Sequence, residues 1–124
     1  MRIIRFKTGN GKIAVGCDYD GDKAVLLKGD FFKGLERTDE KAVVDKILPS
    51  FEPRAIFCIG LNYKAHAKET GMEPPKNPVI FMKNPGAVTG HGDDILLPES
   101  CKEKPEVDYE AELAVIIKDR IKDV

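Results

Sequence analysis

Cysteine is scarce in this chain. Cys17, Cys58 and Cys101 are odd in number, far apart and without CxxC spacing. They suggest no disulfide framework, and a reduced, cytoplasmic setting is the expectation. Long apolar runs are missing too, and none approaches the length of a membrane span. The N-terminus, "MRIIRFKTGNGK", turns polar too soon for a secretory signal. Nor does one sign of charge dominate: 20 basic residues face 21 acidic ones, with no Lys/Arg-rich run. That balance argues against a nucleic-acid surface.

What is present suits an ordinary domain. The chain has 124 residues and an apolar fraction of 42%, enough for a core. Residues 2–7, 12–17 and 23–28 are β-rich, and turn signals at 8–11 ("TGNG") and 19–22 ("YDGD") separate them. A small β-meander is expected. The stretch "DYDGD" is not a calcium loop: Gly21 falls at its fourth position and Gly29, not Glu, at its twelfth. It reads as a hairpin turn. Residues 39–48, "DEKAVVDKIL", have the pattern of an amphipathic helix, capped by Thr38 or Asp39 and ended by Pro49. "PSFEPR" then reads as a linker, with a boundary near residue 50.

Residues 55–60, "AIFCIG", form an apolar run suited to a strand buried on both faces. "NYKAHAKETG" predicts a short helix, with Asn62 as N-cap and Gly71 as stop. "VIFMK", 79–83, is a second apolar strand, 84–94 a loop, and "ILLP", 95–98, short and extended. "EVDYEAELAVII", 106–117, reads as a strand in which Asp108, Glu110 and Glu112 point to one side. One short helix cannot cover these apolar strands, so this half needs further chain or a partner to complete its sheet.

Three groups of residues carry possible chemistry. Carboxylates two apart on one strand face lie roughly 6.5–7 Å apart at the backbone, and their side chains can converge on one cation. All-oxygen donors suit Mg²⁺, Mn²⁺ or Ca²⁺ rather than zinc. By spacing alone the row reads rather as a solvated edge, a reading that the apolar continuation at Ala114 and Ile116 weakens. His66 and Glu69 stand at i and i+3 on the predicted helix, where a carboxylate can hold an imidazole for general-base work. A surface helix pair is the other reading. Lys83 ends an apolar strand, where it meets either solvent or an anionic substrate. His91 is read as a loop residue and Cys58 as core.

In order, "CIGLNYKAHAKE" (58–69), "PVIFMK" (78–83), "DDILLP" (93–98) and "DYEAELAVII" (108–117) resemble the fumarylacetoacetate hydrolase family over residues 55–124. The resemblance implies a mixed, mainly β fold with short helices (α+β). A small N-terminal β-rich domain (1–50) would precede the first part of a β-roll catalytic domain (51–124). It implies that Glu110 and Glu112 are two of three metal-binding carboxylates, for Mg²⁺ or Mn²⁺, with Ca²⁺ as a substitute. Asp108 matches a motif position but not a ligand. His66 and Glu69 match a dyad that activates water or shuttles protons, and Lys83 a lysine near the substrate pocket. The implied substrates are 2-oxo or 1,3-dioxo acids, and the implied reaction is C–C hydrolysis, isomerisation or decarboxylation. Aromatic-compound catabolism is a frequent setting, and a homodimer the usual assembly. The family's third carboxylate, an aspartate, lies downstream of the Glu pair. The expectation is therefore of a truncated chain with an incomplete metal shell. The alternative is a non-catalytic structural or interaction module.

Overall fold

The computed structural model describes residues 1–104 and 106–123. Its first part is a closed four-stranded barrel of β1 (Ile3–Thr8), β2 (Ile13–Cys17), β3 (Lys23–Asp30) and β4 (Gly34–Leu48). All the pairings are antiparallel, and β4 closes the barrel by pairing with both β3 and β1. The first two turns form where the turn residues stand. Thr8 N–H donates to Lys12 O (2.7 Å) across the first. In the second, Asp20 Oδ1 accepts from the backbone N–H groups of Asp22 and Lys23, an Asx-type turn.

The helix expected over 39–48 is not formed. Those residues belong to the 15-residue strand β4. Ala42 and Val43 pair with Ala24 and Lys23, while Ile47 and Leu48 pair with Phe6 and Arg5. A helix there would leave β1 and β3 with open edges, and pairing on both sides outweighs local propensity. Thr38, expected as a helix cap, instead donates its hydroxyl to Leu26 O (2.9 Å) inside the sheet.

Alternation builds the barrel core. Phe6 and Thr8 are buried while Lys7 between them is exposed. Cys17, Val25 and Leu27 form the centre, with Ile3, Val15 and Leu35 packed against it. Gly16 makes room for Phe6: a Cβ there would lie 2.9 Å from Phe6 Cε1 and 2.7 Å from Val25 O.

The second part is sparser. Strands β5 (Ile56–Gly60) and β6 (Val79–Lys83) form an antiparallel pair flanking the helix α1 (Lys64–Glu69). Helix α1 begins after Tyr63 rather than at Asn62, and no side chain caps it. Its end is as expected. Gly71 takes φ +68°, Gly71 N–H donates to Lys68 O, and Met72 N–H to Ala67 O, which together make a Schellman cap. Two short 3₁₀ turns follow, at Pro85–Ala87 and Glu99–Cys101.

Neither apolar strand is buried on both faces. Phe57 is 65% exposed, and all five residues of β6 are exposed. Cys58 is partly exposed rather than core. The strand expected over 106–117 is absent as well. Among the described residues no strand lies beside this segment to supply its ladder, and its residues are exposed. Residues 95–98 carry no ladder either. No helix among the described residues is long and apolar enough to cross a membrane.

The loop after β6 is fastened to the barrel. Lys46 on β4 pairs with Asp93 (2.6 Å), and Gly90 N–H donates to the other carboxylate oxygen (2.8 Å). Both hold the Asp93 carboxyl below its ordinary range, Lys46 more strongly. On the barrel itself, the Arg37 guanidinium does the same to Asp18, which it directly contacts.

Candidate active site

A cleft of about 360 Å³ opens where the end of β5, helix α1, the end of β6 and the acidic segment meet. All five residues singled out from the sequence line it: His66, Glu69, Lys83, Glu110 and Glu112. They arrive by three local routes. The turn from β5 into α1 passes through Leu61, whose φ of +50° lies in the left-handed region. For a side chain other than glycine that conformation costs of order 1–3 kcal/mol and persists only where the surroundings impose it. It turns the chain so that α1 starts directly beside the strand end. The short helix α1 then sets His66 and Glu69 on one face. Lys83, as the last residue of β6, stands beside Ile56 in the strand register, and its side chain leaves the sheet at the cleft.

His66 sits between two carboxylates. Its Nδ1 lies 4.0 Å from Glu69 Oε2, and its Nε2 lies 4.0 Å from Glu110 Oε1. At that separation neither contact is a hydrogen bond, so the dyad expected from the i, i+3 spacing is present here as proximity alone. The second contact was not legible in the sequence, because 44 positions separate the two residues. All three side chains are partly open to water.

Glu110 and Glu112 reach the cleft without a strand to hold them. Tyr63, the residue before α1, supplies the tie. Its hydroxyl oxygen accepts the backbone N–H of Leu113 at 2.8 Å. Tyr63 lies inside the motif "CIGLNYKAHAKE", but nothing in its spacing points to residue 113. His91 is an exposed loop residue, as expected, and is not among the residues lining the cleft.

The carboxylates of Glu110 and Glu112 are hard oxygen donors and match Mg²⁺ or Mn²⁺ in kind. In number they fall short. Among the described residues no group of three or more His, Cys, Asp or Glu side chains is placed to hold a metal ion. These residues can therefore supply part of a metal shell and not the whole of it.

With an acidic pair, a histidine between carboxylates and a lysine on a short helix-and-strand frame, the chain matches known proteins over both its parts. The family described as "Fumarylacetoacetate (FAA) hydrolase C-terminal" matches residues 55–124, and the chain belongs to that family. Residues 1–47 match the family described as "Rv2993c-like, N-terminal". An uncharacterized protein from Archaeoglobus fulgidus is 46% identical over 116 residues, 93% of this chain and 42% of the relative. The fumarylacetoacetate hydrolase domain-containing protein 2 homolog of Dictyostelium discoideum is 48% identical over 79 residues, 64% of this chain and 25% of that protein. The mitochondrial oxaloacetate tautomerase Fahd2a of Rattus norvegicus is 40% identical over 77 residues, 62% of this chain and 24% of that enzyme. Among solved structures, an uncharacterized protein from Mycobacterium abscessus superposes with a TM-score of 0.61 at 30% identity, over 81% of this chain and 40% of that one. The chain thus spans from a quarter to about two-fifths of the length of these relatives. The family includes enzymes of the hydrolase and isomerase kind, and the fold is mainly β with a few short helices.

Proposed function

We propose that these residues are part of a metal-dependent hydrolase or isomerase acting on 2-oxo or 1,3-dioxo acids. One observation carries the reading: a single cleft gathers His66, Glu69, Lys83, Glu110 and Glu112 from three separate segments. The rat relative's name, an oxaloacetate tautomerase, supports proton transfer next to a keto group as the reaction. In this proposal Glu110 and Glu112 are two ligands of a Mg²⁺ or Mn²⁺ ion, which would draw electron density from the keto oxygen when bound.

The chain's own side chains then have distinct tasks. In this proposal Glu69 would hold the proton on His66 Nδ1 once the 4.0 Å gap closes to hydrogen-bond distance, while Glu110 is engaged by the metal. That leaves Nε2, on the Glu110 side, with a free lone pair. Nε2 takes a proton from the carbon beside the keto group and returns it at the other end of the enol system. In a hydrolytic member, the same nitrogen would take the proton from water instead. Lys83 pairs its ammonium with the substrate carboxylate and fixes which end of the molecule faces His66. The opening of the cleft to water suits small, charged substrates.

Association of two copies belongs to the same proposal. The exposed apolar side chains of β5 and β6 support it, since Phe57, Ile80 and Met82 are each more than half exposed. A non-catalytic module is the second reading, with the exposed acidic segment as an ordinary surface.

Calorimetric titration with Mn²⁺ tests the metal assignment. Binding that weakens in both Glu110→Ala and Glu112→Ala supports it, and unchanged affinity in both variants sinks it. Turnover of a 2-oxo acid such as oxaloacetate, lost in His66→Ala, separates the enzyme from the non-catalytic module.

A further inference from the structure

The acidic segment poses a mechanical question. Residues 106–117 have no strand pairing among the described residues, yet Glu110 and Glu112 must be held at a fixed place to act with His66. A carboxylate on an unpaired, exposed segment samples many positions, and each lost degree of freedom has to be imposed by some contact. Among the described residues one hydrogen bond joins this segment to the rest of the molecule, from Leu113 N–H to the Tyr63 hydroxyl oxygen at 2.8 Å. The two ends of that bond are well chosen. Leu113 directly follows Glu112. Tyr63 is the N-cap residue of α1, three positions before His66, and its own backbone carbonyl accepts Ala67 N–H (3.1 Å). The bond therefore ties the backbone beneath the acidic pair to the first turn of the helix that carries the histidine.

We propose that Tyr63 is a positioning residue that sets the distance between His66 and the Glu110–Glu112 pair. This rests on the reading above that the two groups act together, but the geometry it invokes exists without metal or substrate. Tyr63 is not a catalytic residue here. Its ring spans the gap from α1 to the segment, and its oxygen supplies the acceptor that a neighbouring strand would otherwise supply. Phenylalanine would keep the ring and lose the acceptor.

The test is NMR on the 124-residue chain and its Tyr63→Phe variant, both free of metal. In the parent chain the Leu113 amide is protected from solvent exchange, and nuclear Overhauser contacts join the His66 ring to the Glu110 side chain. In Tyr63→Phe the Leu113 amide exchanges about tenfold faster, as expected for the loss of one hydrogen bond. The His66–Glu110 contacts disappear, while amides in the barrel, such as those of Phe6 and Val25, keep their exchange rates. Leu113→Pro removes the donor instead of the acceptor and produces the same loss of contacts. Leu113 exchange that stays within about twofold of the parent overturns the proposal, as does retention of the His66–Glu110 contacts in both variants. Failure of the metal-binding and turnover tests would overturn the proposed function and leave this measurement untouched.

Discussion

His66 Nε2 lies 4.0 Å from Glu110 Oε1, although 44 residues separate them in the chain. The contact joins the proposed proton-transfer residue to the acidic pair, and it makes Glu110 the informative position. Glu110→Gln keeps the side-chain shape and removes the charge. Mn²⁺ affinity should fall by at least about tenfold, since even outer partners of a metal site typically carry 10–100-fold. Calorimetry on the variant checks this, and an unchanged dissociation constant would remove Glu110 from the ligand set.

His66 and Glu69 should separate by magnitude. If His66 moves the proton, His66→Ala lowers turnover of a 2-oxo acid by about 10²–10⁴-fold, the range for a positioned acid–base group. If Glu69 only orients the imidazole, Glu69→Gln should lower it less. Steady-state rates for both variants, read as kcat and KM separately, decide the order. Equal losses would place Glu69 in the proton path itself.

Barrel stability should depend on Phe6 and Gly16 together. Phe6 is fully buried, and Phe6→Ala should destabilise by roughly 3–5 kcal/mol through lost transfer energy and the cavity left behind. Gly16→Ala forces a methyl against the Phe6 ring and the Val25 carbonyl, which should cost about 1–3 kcal/mol. Urea unfolding curves measure both. If the double variant loses less than the sum, the two side chains share the same space, as the structure places them.

The loop latch predicts a pH dependence. Lys46, then the Gly90 amide, lowers the folded-state pKa of Asp93. A depressed carboxyl pKa contributes stability that is present above the unfolded value, about 3.9, and lost as pH falls through the folded value. Asp93→Asn should therefore unfold at lower urea than the parent at about pH 7, and the gap should close progressively as the pH falls below the unfolded value and through the lowered folded one. A gap that persists in acid would mean that Asp93 acts through its shape rather than its charge.

Much of this molecule can be read from its sequence. The three opening strands, the Asx turn at Asp20, the short helix and its Gly71 stop follow from local propensity and turn chemistry. Strand β6 has the expected bounds, from Val79 to Lys83. Two assignments of a whole element failed, for opposite reasons. Residues 39–48 have a helical pattern of apolar positions, but two strand edges were waiting for them, and they became the end of β4. Residues 106–117 alternate as a strand should, but no described strand lies alongside to pair with them. In both cases the deciding quantity was a partner, and no local pattern reports one.

The sequence by itself marked five side chains as candidates for chemistry. His66 and Glu69 stand at a helix spacing, Glu110 and Glu112 at a strand spacing and Lys83 at a strand end, and the resemblance of their motifs to a known family singled them out. Only the tertiary structure decided that the five share one cleft and that His66 lies between Glu69 and Glu110. It also decided that Tyr63, unmarked by any spacing, holds the acidic segment through Leu113. The physical reason is range. Periodicity and capping act over a few residues, whereas these contacts join positions 44 and 50 apart, and only the folded path of the chain brings such distant groups within reach.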